Sequence, residues 1–280
     1  MINPPGTKGD RLILMGMEKK LKELDIRYRC FDLNYVNSIF FKRILSLIYG
    51  YKSRKINLII GASLDVLLLR GGGYLNDIWK DYNFLNIILQ AVCDKPETII
   101  IIAPSSFYFT TTYFHKFFDR IENKVHIFCR EMYSYDRLKS MVFPKNVHIH
   151  LSPDTSFYLT REDFPLQNKE ESYILIAPRK DCESVVTWKI DKMISKTKIL
   201  FGDIIHLPKF QDYINIIWNA RQIYTDRLHN AILAAILGKE TYLYPNLYHK
   251  NKGVYEFSLR KFPNVKFVDS YKFLGLNACS

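Results

Sequence analysis

Residues Ile223–Lys239 read IYTDRLHNAILAAILGK, and their order decides the fold. A short β-branched and aromatic run, RQIYT, meets a charged turn, then a stretch of Ala, Ile and Leu that stops at Gly238. That is strand, turn and buried helix, the repeating unit of a parallel sheet wrapped by helices. The apolar residues alone satisfy folding. Arg227 and His229, in the first turn of the helix, ask for another reason.

The same unit recurs on both sides. Strands are predicted at IRYRCFDL, VLLLR, TIIIIAPSSF, VHIFCR and VHIHLSP, and again at YILIAPR, KILFG, RQIYT, TYLYP and VKFVD. Helices are predicted between them: GDRLILMGMEKKLKEL, YNFLNIILQAV, TYFHKFFDRI, EMYSYDRLKSMV, SVVTWKIDKMIS, KFQDYINIIWNA, RLHNAILAAILG and NKGVYEFSLRKF. The polar, aperiodic stretch TREDFPLQNKEES (Thr160–Ser172) reads as a linker. It implies two α/β domains, 1–160 and 172–280, with residues 161–171 between them. Ligands of such sheets sit beyond the carboxyl ends of the strands, and the cleft between two such domains is the expected site.

Composition narrows the partners. The chain has 280 residues, a net charge of +12 and a 15% aromatic fraction. That charge favours anionic partners: phosphorylated small molecules, polyanions or an anionic membrane surface. Basic–aromatic interleaving such as YKSRK is too short to argue for nucleic acid, and none is expected as a partner. Five scattered cysteines without a C-x-x-C pair suggest reduced thiols in the cytoplasm. The opening MINPPGTKGD lacks the apolar stretch of a secretory signal, and INLIIGASLDVLLLRGGG is broken well short of a membrane span. His148 and His150 share one strand face without a third ligand in sight, so no metal is expected.

Polar residues just past strand ends are the site candidates. Gly71, Gly72 and Gly73 follow VLLLR, either hugging a ligand or making a tight turn. Asp10 opens the first helix as an N-cap or as a general base. Arg179 follows YILIAP. Arg227 stands at a helix N-terminus, where the dipole disfavours a cation unless an anion is bound against it or a carboxylate such as Asp226 pairs with it. Lys250 and Lys252 follow TYLYP. Neither a P-loop nor a G-x-S-x-G elbow occurs.

In order, GDRLILMG, LLLRGGGYLNDIW, IIAPSSFYF, CREMYSYDRL, LSPDTSFYL and DRLHNAILAAILGKETYLYPNLYHKNKGVYEF resemble the polysaccharide pyruvyltransferase family, as far as Leu259. Ser105 stands where the family has glutamine, and His249 interrupts its Tyr-Gly-Lys loop. The resemblance implies two Rossmann-like domains facing across a cleft, similar to B-type glycosyltransferases. It implies transfer of a pyruvyl group from phosphoenolpyruvate (PEP) to hydroxyls of a glycan, a lipid-linked glycan or a nucleotide sugar, with PEP as co-substrate and no cofactor. It casts His229 as catalytic acid and the Arg-Leu-His residues Arg227 and Leu228 as donor-binding; the charge of PEP adds Arg179 and Lys250 as donor-binding candidates, and the place of Asp10 suggests it as the base. Gly71, Gly72, Gly73, Asp77, Arg130 and Ser134 become acceptor-binding. A cytoplasmic location, peripheral to an anionic membrane, follows as an expectation. A nucleotide-sugar glycosyltransferase and a non-catalytic glycan-assembly protein share the same strand-end residues and stay open at this point.

Overall fold

The chain's computed structural model describes residues 1–4, 6–32, 64–79, 85, 86, 88, 89, 92–166, 173–189 and 198–273. The basic cluster Lys52–Lys55, residues 167–171 of the expected linker and the second half of the SVVTWKIDKMIS helix lie outside them. Two compact units are present, one of Met1–Gly6 with Met17–Thr155, the other of Thr7–Gly16 with Ser156–Ser280. Thr7–Gly16, in the N-terminal domain on the sequence reading, therefore groups with the second unit. The reason is Leu12, fully buried in a core cluster with Leu175, Tyr213 and Leu233.

The first unit carries strands β1 (Ile2–Asn3), β2 (Phe31–Asp32), β3 (Val66–Leu69), β4 (Ile99–Ser105), β5 (Val125–Cys129) and β6 (Val147–Leu151). They pair in parallel in the order β2-β1-β3-β4-β5-β6. Helix α1 (Lys8–Glu23) follows β1, and α2 (Met132–Lys139) joins β5 to β6. One sheet face buries Leu67, Leu69, Ile100, Ile102, Val125, Ile127 and Ile149 with Phe107, Phe114 and Phe118. The TYFHKFFDRI segment forms a 3-10 turn over Phe114–Phe118 instead of an α-helix. Phe114 packs against Phe117 and Phe118, and Phe118 against Phe143.

The second unit carries β7 (Tyr173–Ala177), β8 (Ile199–Phe201), β9 (Ala220–Thr225), β10 (Glu240–Leu243) and β11 (Val265–Phe267). All neighbours are parallel, in the order β8-β7-β9-β10-β11. Helices α3 (Phe210–Trp218), α4 (Leu228–Ile236) and α5 (Lys250–Phe257) lie between them in the chain. Of the predicted SVVTWKIDKMIS helix, the described residues through Lys189 are not helical; Thr187 bridges Lys272 instead. The fully buried β7 (YILIA) reads as a continuous apolar run, as a central parallel strand must. Helix α4 is buried almost all round, with Leu233 and Ala234 in one cluster and Ala231, Ile232 and Ala235 in another. Its alanines let two layers close on it.

Both sheets share one winding: the first strand lies inside, the second goes to one edge, and the third returns to the first strand's other side. The switch points fall between β1 and β3, and between β7 and β9. Doubly wound sheets bind ligands at the carboxyl ends of the two strands flanking that point.

Candidate functional site

In the second unit the switch point places Arg179 after β7 and Asp226–Arg227 after β9, with Asp203 after β8 and Asn246–Lys250 after β10. Their positions are fixed from beneath. Thr225 Oγ1 donates to the Ala177 carbonyl (2.7 Å) and accepts from the Arg227 N–H and from Asn230 Nδ2 (both 3.1 Å). Tyr213 Oη donates to Asn230 Oδ1 (3.0 Å), and Asn251 Nδ2 donates to the Asp226 and Tyr244 carbonyls. This buried network ties the start of α4 to β7, α3 and α5.

The expected cations are all there, nearly buried, and each is held by carboxylates. Arg179 binds Asp181 through Nε (2.8 Å) and Nη2 (3.2 Å), and Glu183 through Nη1 (2.5 Å). Arg227, the N-cap residue of α4, grips Asp203 with Nε (2.6 Å) and Nη2, and reaches Asp181 Oδ2 from Nη2 (3.0 Å). Lys250 Nζ binds Glu183, which also accepts from Asn246 Nδ2 (2.9 Å). Arg227 at a helix N-terminus is thus balanced by Asp203 and Asp181. Asp226, the neighbour the sequence suggested, instead accepts the Arg179 N–H through Oδ1 (2.7 Å). Burial pushes the Asp226 carboxyl up to about 6 despite that bond and the nearby guanidinium groups. Burial also works to raise Asp181, but hydrogen bonding by Arg179 and the charges of Arg179 and Arg227 outweigh it and hold Asp181 below its ordinary range. Lys252 pairs at the surface with Asp269 (3.1 Å).

His229 lies half-buried in the first turn of α4, and the start of α1 closes on it. A Cβ on Gly9 would sit 2.7 Å from His229 Cβ and 2.8 Å from Nδ1, so only glycine fits there. Next to Gly9, Asp10 is not the N-cap. Thr7 is: its Oγ1 faces the Asp10 N–H (3.4 Å), and Asp10 Oδ2 accepts the Thr7 N–H (2.7 Å) and hydroxyl (2.9 Å). This capping box engages the carboxylate expected as a base. Leu228 is a core residue, 4% exposed, in a cluster with Ile232 and Val254.

In the first unit the acceptor candidates serve the protein itself. A Cβ on Gly71 would lie 2.2 Å from the Pro104 carbonyl oxygen, and Gly72 has φ +150°. Gly72 donates to Ser105 Oγ (3.2 Å) and its carbonyl accepts the Ser106 N–H (2.9 Å), extending β3 along β4; Gly73 follows, half-buried. Of the two readings of the triplet, the tight backbone approach accounts for Gly71 and Gly72. Ser105, in place of glutamine, is therefore a partner at the end of the interior strand β4, between Gly72 and Cys129. Asp77 Oδ2 accepts the N–H groups of Thr110 (2.5 Å), Thr111 (2.7 Å) and Thr112 (3.3 Å). Those bonds and the Thr112 hydroxyl hold the carboxyl far below its usual range, although burial works the other way. Arg130, 1% exposed, is paired with Asp154 (2.7 Å) and Ser106 Oγ (2.8 Å). Ser134 is fully buried, accepting the Phe107 N–H (2.7 Å) and donating to Glu131. Asp77, Arg130 and Ser134 are thus each engaged by groups of the first unit itself.

The structure also supplies the histidine that the sequence reading lacked. Register pairs His126 with His148, and His126 Nδ1 lies 2.8 Å from His150 Nε2. The contact is imidazole to imidazole, and among the described residues no three such side chains are grouped to hold a metal. No helix of the described residues is long and apolar enough to cross a membrane.

Fold and site define the class: two doubly wound parallel sheets, the second with three buried cations and a histidine at its switch point. The polysaccharide pyruvyl transferase family matches residues 8–248, and the chain belongs to that family. Its chemistry is therefore that of a transferase of pyruvyl groups. The chain is 25% identical to the protein named "Putative pyruvyl transferase EpsO" of Bacillus subtilis (strain 168), over 94% of this chain and 85% of that protein. A crystal structure of a functionally uncharacterised protein from Klebsiella pneumoniae subsp. pneumoniae NTUH-K2044 shares the fold. It has a TM-score of 0.64 and 24% identity, covering 96% of this chain and 91% of that one.

Proposed function

We propose that the chain moves the pyruvyl group of PEP onto two hydroxyls of a glycan or glycan precursor, giving a cyclic ketal and inorganic phosphate. The observation that carries this is the gathering of Arg179, Arg227 and Lys250 at the strand ends that also present His229. A carboxylate and a phosphate on one small molecule need several cations, and paired guanidinium groups suit both oxyanions.

His229 is the acid of the scheme, since imidazole changes charge near neutral pH. It protonates the methylene carbon of PEP, leaving positive charge at C2. One hydroxyl attacks C2 and releases its proton; the C2–O bond to phosphate then breaks, and the second hydroxyl closes the ketal. Two hydroxyl protons enter, one ending in the new methyl group and one on hydrogen phosphate. Asp10, tied into the capping box, serves as a base only after leaving Thr7, so the hydroxyl proton is assigned to no residue of the first turn of α1. The scheme uses no metal or organic cofactor. We place the reaction in the cytoplasm, with the net charge of +12 favouring an anionic membrane surface. The test is incubation with PEP and a panel of glycans, lipid-linked glycans and nucleotide sugars, reading phosphate release and ketal formation by mass. Wild-type product that disappears in His229→Ala supports the scheme. Product formation from a nucleotide sugar without PEP overturns it.

A further inference from the structure

The carboxylates around the cations are not equivalent. Glu183 and Asp203 have side chains 1% and 2% exposed, whereas that of Asp181 is 23% exposed. Among the three, Asp181 alone reaches both guanidinium groups. Its two oxygens face Nε and Nη2 of Arg179 and Nη2 of Arg227, the forked arrangement that a ligand carboxylate or phosphate adopts between two arginines. It stands on the short turn after β7, where Oδ1 also accepts the Glu183 N–H (3.0 Å). Glu183, by contrast, is anchored by Lys250 and Asn246, and Asp203 by the Lys180 N–H (3.1 Å).

We infer that Asp181 is the protein's own occupant of the donor's oxyanion position, a specificity-determining residue that an incoming anion must displace. The inference rests on the donor-site reading above. Arg179, Arg227 and Lys250 face four carboxylates, Asp181, Glu183, Asp203 and Asp226, so the site offers a simple anion no excess of positive charge. A weak monoanion cannot replace a bidentate carboxylate already in place. A ligand with two oxyanion groups can, because it gains contacts to both arginines and to the Lys250 side of the cluster. Displaced Asp181 then turns into solvent, which its partial exposure already allows.

The probe is calorimetric titration with inorganic phosphate and with PEP, on wild type and Asp181→Asn. Asparagine keeps the oxygen that accepts the Glu183 N–H and replaces the oxygen facing both Nη2 groups with an uncharged NH2 donor. Asp269→Asn, at the surface ion pair with Lys252, controls for a general loss of one negative charge. Asp181→Asn is expected to bind both anions roughly tenfold more tightly, the scale of one hydrogen bond to a charged group no longer displaced, and phosphate more nearly like PEP. Asp269→Asn should stay within about twofold of wild type, the range of a solvent-exposed pair. Wild type that binds PEP while Asp181→Asn binds it no better, or no better than Asp269→Asn, overturns the inference and leaves the donor reading standing. Phosphate and PEP tightened alike, with PEP never above phosphate, supports the displaced carboxylate but overturns PEP as the donor. Silence from every protein overturns both. Should asparagine destabilise the turn, as thermal melting would report, Asp181→Ser retains an acceptor for the Glu183 N–H and carries the same comparison.

Discussion

Gly9→Ala isolates the contact that sets His229. Gly9 lies in the first turn of α1, where alanine in place of glycine ordinarily stabilises by up to about 1 kcal/mol. Here the new methyl group would meet His229 Cβ at 2.7 Å, Nδ1 at 2.8 Å and Cγ at 2.9 Å. Carbon atoms rest at about 3.5–4.0 Å, so the overlap is close to 1 Å on three atoms of one side chain. Overpacking of that kind costs about 1–3 kcal/mol, which outweighs the propensity gain. The variant should therefore lose roughly 1–2 kcal/mol in urea denaturation at an unchanged slope. His229→Ala removes two of the three close atoms and leaves Cβ. In a double-mutant cycle the pair should show a coupling of about 0.5–2 kcal/mol, with Gly9→Ala milder in the His229→Ala background. NMR of the imidazole should show His229 displaced in Gly9→Ala. A variant as stable as wild type, with the His229 signal unmoved and no coupling, would refute the claim that α1 positions this histidine.

Two further outcomes follow from burial and close contact elsewhere in the chain. Asp226 titrates at about 6 in the folded chain against an ordinary 3.8, so the folded state holds its proton longer than the unfolded one and stability falls as pH rises between those values. Relative to wild type, Asp226→Asn should gain stability across roughly pH 4 to 6 and level off above, at no more than about 3 kcal/mol; a pH-independent difference in denaturation midpoints contradicts this. Gly71→Ala drives a methyl group to 2.2 Å from the Pro104 carbonyl oxygen, and backbone has no rotamer with which to yield. It should cost about 3 kcal/mol or more by the same assay, and a neutral result would return the glycine triplet to the ligand-binding reading.

The architecture was largely legible because buried parallel strands announce themselves as unbroken apolar runs: IIIIAPS and YILIA needed no context. Strand β1, two residues long, leaves no such mark. The membership of Thr7–Gly16 was hidden because it depends on Leu12 entering a core whose other members lie more than a hundred residues away. At the site, Arg179, Arg227, His229 and Lys250 were readable from their places after strands. Asp203 obeys the same rule after β8 and was there to be found, as were the acids two and four places beyond Arg179. What no local reading supplies is strand order: β8 and β9 flank β7, and only that brings Asp203 and Asp181 onto Arg227. His126 was missed for the same reason, since its partners arrive through the register of β5 with β6. In the first unit the internal partners of Asp77, Arg130 and Ser134 were equally hidden, because they come from the loop after β4 and the turn after β6.

The central claim is that the cations at the second unit's switch point receive PEP. Calorimetric titration of the wild-type chain with PEP, with inorganic phosphate and UDP-glucose alongside, tests it without knowledge of the acceptor. Saturable PEP binding that outcompetes phosphate, and is lost in a cooperatively folded Arg227→Ala, is the predicted result. Binding of UDP-glucose with no response to PEP, or PEP affinity unchanged in Arg227→Ala, would contradict it.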